Sequence, residues 1–103
     1  MQATVLNKAM LMETLRSHGK EIRSFGVNSL GLFGSFVRNS GSDESDIDLL
    51  VDFEPNKKTF DNFMELSFFL EQLFGRKVDL VTRQSLSKYI GPYILSELEN
   101  VSF

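Results

Sequence analysis

Two aspartates, Asp46 and Asp48, are the side chains with the clearest chemical potential in this sequence. Because they lie two residues apart in a stretch with strand-like alternation, both carboxylates are predicted to project from one face. Adjacent carboxylates repel each other unless a cation lies between them or one takes up a proton. Asp79, on the polar side of a later strand-like stretch, could complete a set of three. Such a set offers the oxygen ligands that Mg²⁺ prefers and predicts a two-metal site for phosphoryl or nucleotidyl transfer.

The Gly34-Ser35 pair, at the end of an apolar strand-like run, is the second chemical feature. Glycine lets the backbone approach a phosphate closely, and the N–H groups that open the following turn point at an anion. The Ser35 hydroxyl adds a donor, and Arg38 could reach phosphate oxygens with its guanidinium group. These residues therefore predict phosphate binding beside the acidic strand.

Each feature also has an ordinary structural explanation. Alternate aspartates on a strand are most often a solvated acidic edge, and an isolated Gly-Ser is usually a turn. Asp79 alone would be a surface carboxylate, and Arg38 alone is expected to pair with Asp43 or Glu44 rather than with a ligand. The co-occurrence of the turn, the acidic strand and a later strand aspartate is what favours a functional site.

The elements that must position these residues follow from hydrophobic periodicity. The pattern predicts an α/β (α+β) fold, a small mixed β-sheet flanked by helices, and the length of 103 residues predicts one domain over 1–103. Alternation predicts strands over 27–33, 46–53 and 77–81. Helical spacing predicts helices over 8–17, 20–25 and 60–74, and a C-terminal helix from Ser85 that is interrupted at Gly91-Pro92. Asn7 and Thr59 are the predicted caps, and Met10, Leu11 and Leu15 the predicted inner stripe of the first helix.

Composition and charge exclude several classes of function. The formal net charge of −3 argues against stable nucleic-acid binding, which needs a basic surface. Without cysteine there is no disulfide and no thiolate zinc site. Neither a signal peptide nor a membrane span is expected, so a cytoplasmic protein is predicted. Ten Phe without Trp favour a Phe-rich core, with an apolar face available to a partner.

The spacing from Gly34-Ser35 through ten residues to Asp46-Ile47-Asp48 resembles the G-S-x(10)-D-x-D signature of the polymerase-beta-like nucleotidyltransferase superfamily. More narrowly, the chain resembles the minimal nucleotidyltransferase (MntA-like) proteins over essentially its whole length. The resemblance is carried by residues 33–38, 45–51 and 77–81 and by the terminal helix. Asn39 departs from the glycine that the family often has after the arginine.

The resemblance implies the polymerase-beta-like nucleotidyltransferase fold and a role for each motif residue. Asp46 and Asp48 would hold two Mg²⁺ ions, Asp79 would be the third carboxylate, and Gly34 and Ser35 would grip the triphosphate of ATP. Family members of this size are typically antitoxins encoded beside a HEPN-domain ribonuclease toxin, in type VII-like pairs. They are implied to transfer AMP to a tyrosine hydroxyl of that toxin, with which they would form a hetero-oligomer. Asp79 is the best candidate to help deprotonate the acceptor.

Two other functions remain compatible with the sequence. One is a non-catalytic module that silences its partner by occlusion. The other is a stand-alone nucleotidyltransferase that acts on a small molecule or an RNA end. The expectation of a single domain, with no second domain to enclose a small acceptor, favours a protein acceptor without eliminating the small-molecule branch.

Overall fold

The computed structural model describes residues 7–38 and 45–103, and in these ranges a four-stranded mixed sheet packs against helices. The helices are α1 (Lys8–Ser17), α2 (Gly19–Ser24), α3 (Phe60–Phe74) and α4 (Gly91–Glu97), with a 3₁₀ turn at Arg83–Ser85. The strands are β1 (Val27–Phe33), β2 (Ile47–Phe53), β3 (Val78–Thr82) and β4 (Glu99–Asn100). The predicted mixed α/β architecture is confirmed.

The strand order is β3-β2-β1-β4, so β1 and β2 form the centre of the sheet. β1 runs antiparallel to β2 and to β4, whereas β2 and β3 are parallel and are connected through α3. Parallel neighbours need such a crossover because a tight hairpin cannot join them. The end of β1 and the beginnings of β2 and β3 consequently meet at one end of the sheet.

The hydrophobic core holds β2 in a fixed orientation. Its alternate residues Ile47, Leu49, Val51 and Phe53 are all buried, as the period of two predicts. They belong to one cluster with residues of β1 and of the first three helices, namely Leu30, Leu32, Leu11, Leu15, Ile22, Leu66 and Leu70. A one-residue slip of β2 would turn this whole set away from the core, so its register is strongly specified.

The helix ends confirm the predicted capping residues. The Asn7 side chain accepts a hydrogen bond from Met10 N at 2.9 Å, and the Thr59 hydroxyl accepts one from Asn62 N at 3.1 Å. Each cap satisfies an N–H group that has no partner inside its helix. Gly75 ends α3 in the left-handed conformation (φ 64°), which glycine adopts without a steric penalty.

Several local predictions are wrong. The Met10 side chain is exposed, because the face of α1 that packs on the core is formed by the buried Leu11 and Leu15 with the partly buried Met12. Gly91-Pro92 begins α4 instead of interrupting a helix, since the first turn tolerates a proline that has no N–H. The β4 strand was not predicted, and its two residues are too few to show alternation.

Residues 39–44, which include Asn39, Asp43 and Glu44, lie outside the described residues. Within the ranges that the structure describes, no helix combines the length and apolar character needed to cross a membrane.

Candidate active site

The turn after β1 is built around Gly34. Its φ of +83° is left-handed, and its carbonyl accepts hydrogen bonds from Val37 N at 3.2 Å and Arg38 N at 3.4 Å. Phe36, which is almost fully buried, anchors the turn in the core. Ser35 follows Gly34 within the turn and is half-buried. The predicted helical turn is thus a single hydrogen-bonded turn directly at the end of the strand.

The Asp48 side chain lies against this turn. A Cβ atom placed on Gly34 would overlap the Asp48 carboxylate, with Oδ2 as its nearest neighbour. The pairing explains the contact, because Asp48 is the register partner of Phe33, the last residue of β1. Glycine is therefore required at position 34 for two independent reasons: the left-handed backbone and the room that the carboxylate occupies.

On its other side Asp48 has Asp79 as its register partner in the parallel β3 strand. The sheet therefore brings together the carboxylates that lie 31 positions apart in the sequence. Asp46 lies immediately before β2 and is exposed, with one carboxylate oxygen 3.7 Å from Lys77 Nζ. All three predicted acidic residues are consequently found at the same end of the sheet.

The electrostatics of this acidic group are unfavourable to an ionised Asp48. Partial burial is the largest cause that raises the pKa of the Asp48 carboxyl to about 6, and the nearby Asp79 and Asp46 carboxylates act in the same direction. The Arg38 guanidinium opposes the shift, and Glu97 adds to it. Within the described residues, however, no three Asp, Glu, His or Cys side chains are close enough to form a preformed metal site. The three carboxylates therefore lie at one end of the sheet without forming a complete set of metal ligands.

Glu97 contacts the candidate site, and the sequence did not indicate it. One carboxylate oxygen, Oε2, accepts a hydrogen bond from Gly34 N at 2.8 Å, and the other, Oε1, accepts one from Arg38 Nη1 at 2.7 Å. Arg38 is therefore paired with the last residue of α4, and its predicted partners lie outside the described residues. Glu97 is 63 positions from Gly34 in the chain, and no local pattern signals such a contact.

Comparison with known proteins shows to which family the chain belongs. Residues 13–101 match the model of the nucleotidyltransferase domain. The chain belongs to the nucleotidyltransferase domain family. It is 45% identical to the protein adenylyltransferase MntA of Thermococcus cleftensis, over 82% of this chain and 85% of that protein. These similarities confirm the predicted MntA-like family and identify the protein as a nucleotidyltransferase enzyme.

Solved structures support the assignment of the chain to the nucleotidyltransferases. A protein assigned as a minimal nucleotidyltransferase superposes with a TM-score of 0.70 at 33% identity, over 85% of this chain and 93% of that one. A toxin-antitoxin crystallised with AMP-PNP superposes with a TM-score of 0.63 at 25% identity, over 94% of this chain and 73% of that one. The predicted minimal nucleotidyltransferase fold is confirmed.

The dual requirement for glycine at position 34 is testable with Gly34→Ala. We expect it to lower the free energy of unfolding by at least about 1–3 kcal/mol, because backbone strain is added to overlap with Asp48. Gly75→Ala is the matched control, since Gly75 is also left-handed (φ +64°) but a methyl group there would meet only open space. Urea unfolding of both variants measures the difference. Equal losses would contradict the steric role of Asp48.

A second prediction concerns the charge of Asp48. Its folded-state pKa is raised to about 6. Between the unfolded value and about pH 6 the native state therefore binds more protons than the unfolded state, and stability falls as pH rises. In EDTA, Asp48→Asn should stabilise the protein at pH 7.5 by on the order of 1–2 kcal/mol after solvent screening, and by nearly nothing below pH 4.

Thermal unfolding at the two pH values measures this effect. Asp52→Asn, on the same strand but outside the acidic group, controls for the change in net charge. A stabilisation of Asp48→Asn that is the same at both pH values would contradict the electrostatic explanation.

Proposed function

We propose that this nucleotidyltransferase transfers AMP from ATP to a tyrosine hydroxyl of a HEPN-type toxin encoded nearby, and so acts as the antitoxin of a type VII-like pair. The observation that carries the proposal is the contact between Asp48 and Gly34, because it joins the acidic strand and the turn into one site. Similarity to a protein adenylyltransferase and to a toxin-antitoxin with AMP-PNP, an ATP analogue, supports the choice of donor and acceptor.

The acidic residues fit a divalent cation. Asp46 and Asp48 would hold Mg²⁺, with Asp79 as the third carboxylate, because the repulsion that raises the pKa of Asp48 is relieved by a cation. Bound Mg²⁺ would neutralise the charge of the phosphates and lower the pKa of the attacking hydroxyl. Asp46 is exposed and only loosely paired with Lys77, so its carboxylate is free to reorient.

The turn supplies the donors for the phosphate chain. The Gly34 N–H and the Arg38 guanidinium are oriented such that both can donate to a single anion, since both already donate to one carboxylate. Ser35, the next residue in the turn, would add its hydroxyl. These three residues would orient the triphosphate so that pyrophosphate leaves away from the acceptor.

Asp79 is suited to the acceptor side. It is exposed on β3, an edge strand of the described sheet, so a side chain from another protein can approach it. In the transfer, the tyrosine oxygen forms a bond to the α-phosphorus of ATP, and the bond from that phosphorus to the pyrophosphate oxygen breaks. Asp79 would accept the proton that the tyrosine hydroxyl loses.

Exposed apolar side chains near α4 favour a protein as the acceptor. Tyr89, Ile90 and Tyr93 are more than half exposed, and Leu95 is partly exposed. Isolated exposed hydrophobic residues are common, but a group of this size on one short segment is typical of an interaction surface. The same segment ends at Glu97, which contacts the turn, so a partner bound there would lie beside the site.

The proposed chemistry is tested with the double variant Asp46→Asn/Asp48→Asn. We expect it to lose AMP transfer on the order of 10³-fold or more, because it loses the charge that would hold the cation. Intact-mass measurement of the neighbouring toxin, after incubation with ATP and Mg²⁺, follows the gain of one AMP unit. Asp52→Asn is the control and should transfer normally. An intact toxin that gains no mass with the wild-type protein would overturn the proposal.

The same double variant separates catalysis from occlusion, which the exposed apolar surface also makes a candidate. If AMP transfer silences the toxin, the variant should bind the toxin yet fail to protect cells that express it. Full protection by a variant without transfer activity would instead establish occlusion as the mechanism.

A further inference from the structure

Glu97 contacts two of the three donors that the proposed function assigns to phosphate, namely Gly34 and Arg38. Its two carboxylate oxygens accept hydrogen bonds from Gly34 N at 2.8 Å and from Arg38 Nη1 at 2.7 Å, one donor to each oxygen. A backbone N–H at a glycine turn together with a guanidinium group is a typical anion site. In this structure, the anion in that site belongs to the chain itself.

The surroundings make this an unfavourable place for a carboxylate that had no such partners. Glu97 is the last residue of α4, where the carbonyl groups of the helix end disfavour negative charge. It also lies near the acidic group and adds to the repulsion felt by Asp48. The Glu97 side chain is only 16% exposed, so solvent compensates little of this cost. The contacts with Gly34 and Arg38 are therefore what holds the carboxylate in place.

We propose that Glu97 is an internal competitor of the phosphate chain, which it must release for ATP to bind, and that it thereby sets the affinity of the enzyme for the triphosphate. This inference rests on the proposed function, because it requires that Gly34 and Arg38 bind phosphate. It adds a residue that lowers nucleotide affinity to a site otherwise composed of residues that raise it.

The backbone that follows Glu97 is held against the sheet. Leu98, the next residue, packs so closely on Gly31 that a Cβ atom there would overlap it. Glu99 and Asn100 then pair with Leu32 and Gly31 of β1. The backbone on the C-terminal side of Glu97 is thus held by the sheet, so we expect release of the two donors to occur by rotation of the Glu97 side chain about its own bonds.

Two roles of Glu97 predict opposite effects on binding. As a competitor, it occupies donors that phosphate needs, so its removal should strengthen phosphate binding. As a positioning residue alone, it would hold Arg38 and the turn ready for phosphate, so its removal should weaken binding. The sign of the change in affinity therefore distinguishes them.

The test is calorimetric titration of Glu97→Gln and Glu97→Ala with ATP and Mg²⁺ and, separately, with tripolyphosphate, in the absence of an acceptor. We expect the Kd for both ligands to fall about tenfold, since a hydrogen-bonded charge no longer competes. Adenosine, which has no phosphate, should show no gain. Glu99→Gln is the matched control, because Glu99 pairs with Lys8 at 2.8 Å and its substitution makes the same change in net charge outside the turn.

The outcomes are separable. Tighter binding of ATP and tripolyphosphate by the Glu97 variants, beyond any change in Glu99→Gln, would establish the competitor role. Unchanged or weaker binding, while the wild-type protein binds ATP, would overturn this inference and leave the proposed function intact. Absence of ATP binding by every protein, with thermal unfolding confirming that each is folded, would overturn both.

Discussion

The candidate site is organised around a carboxylate placed where its charge is disfavoured. Asp48 lies half-buried between the Gly34 turn and the Asp79 carboxylate, and both its burial and its neighbours raise its pKa to about 6. A fold selected for stability alone would place a neutral side chain at this position. Local conflicts of this kind are typical of functional sites, and this one agrees with the proposed role of Asp48 as an oxygen ligand of a cation.

The hydrophobic core holds the Asp48 side chain in this unfavourable position. The alternate residues Ile47 and Leu49 are fully buried on either side of it, so the pleat of β2 leaves its side chain no other direction. The antiparallel pairing with β1 sets its distance to Gly34, and the parallel pairing with β3 sets its distance to Asp79. Burial of the apolar face of β2 therefore fixes the position of Asp48 on the opposite face.

The sequence allowed prediction of features that are local. The period of two in β2 and the caps Asn7 and Thr59 each act within a few residues, and the structure has them where expected. The acidic motif was recognisable because Asp46 and Asp48 are close in sequence. That Asp79 is the register partner of Asp48 follows from a parallel pairing, which the three predicted strands did not define.

Features that depend on contacts between distant parts of the chain were missed, because the predictions rest on local patterns. The pairing of β4 with β1 joins residues almost 70 positions apart, and a two-residue strand has no periodicity of its own. The contact of Glu97 with the turn depends on that pairing, since β4 is what brings the end of α4 to Gly34. The hydrogen-bond partner of a glutamate at the end of a short helix cannot be predicted from the sequence around it, because the partner is defined only by the pairing of the strands.

The charges around the Gly34 turn would couple cation binding to the departure of Glu97, because the same groups act on both. Arg38 opposes the repulsion on Asp48, whereas Asp79, Asp46 and Glu97 add to it. Arrival of a triphosphate would bring several more negative charges to the same place. In the proposed function, such a ligand would need accompanying cations and departure of the Glu97 carboxylate, because Arg38 alone would not balance the charge of both. The acidic group and the Gly34 turn would therefore be coupled through charge as well as through their contact at Gly34.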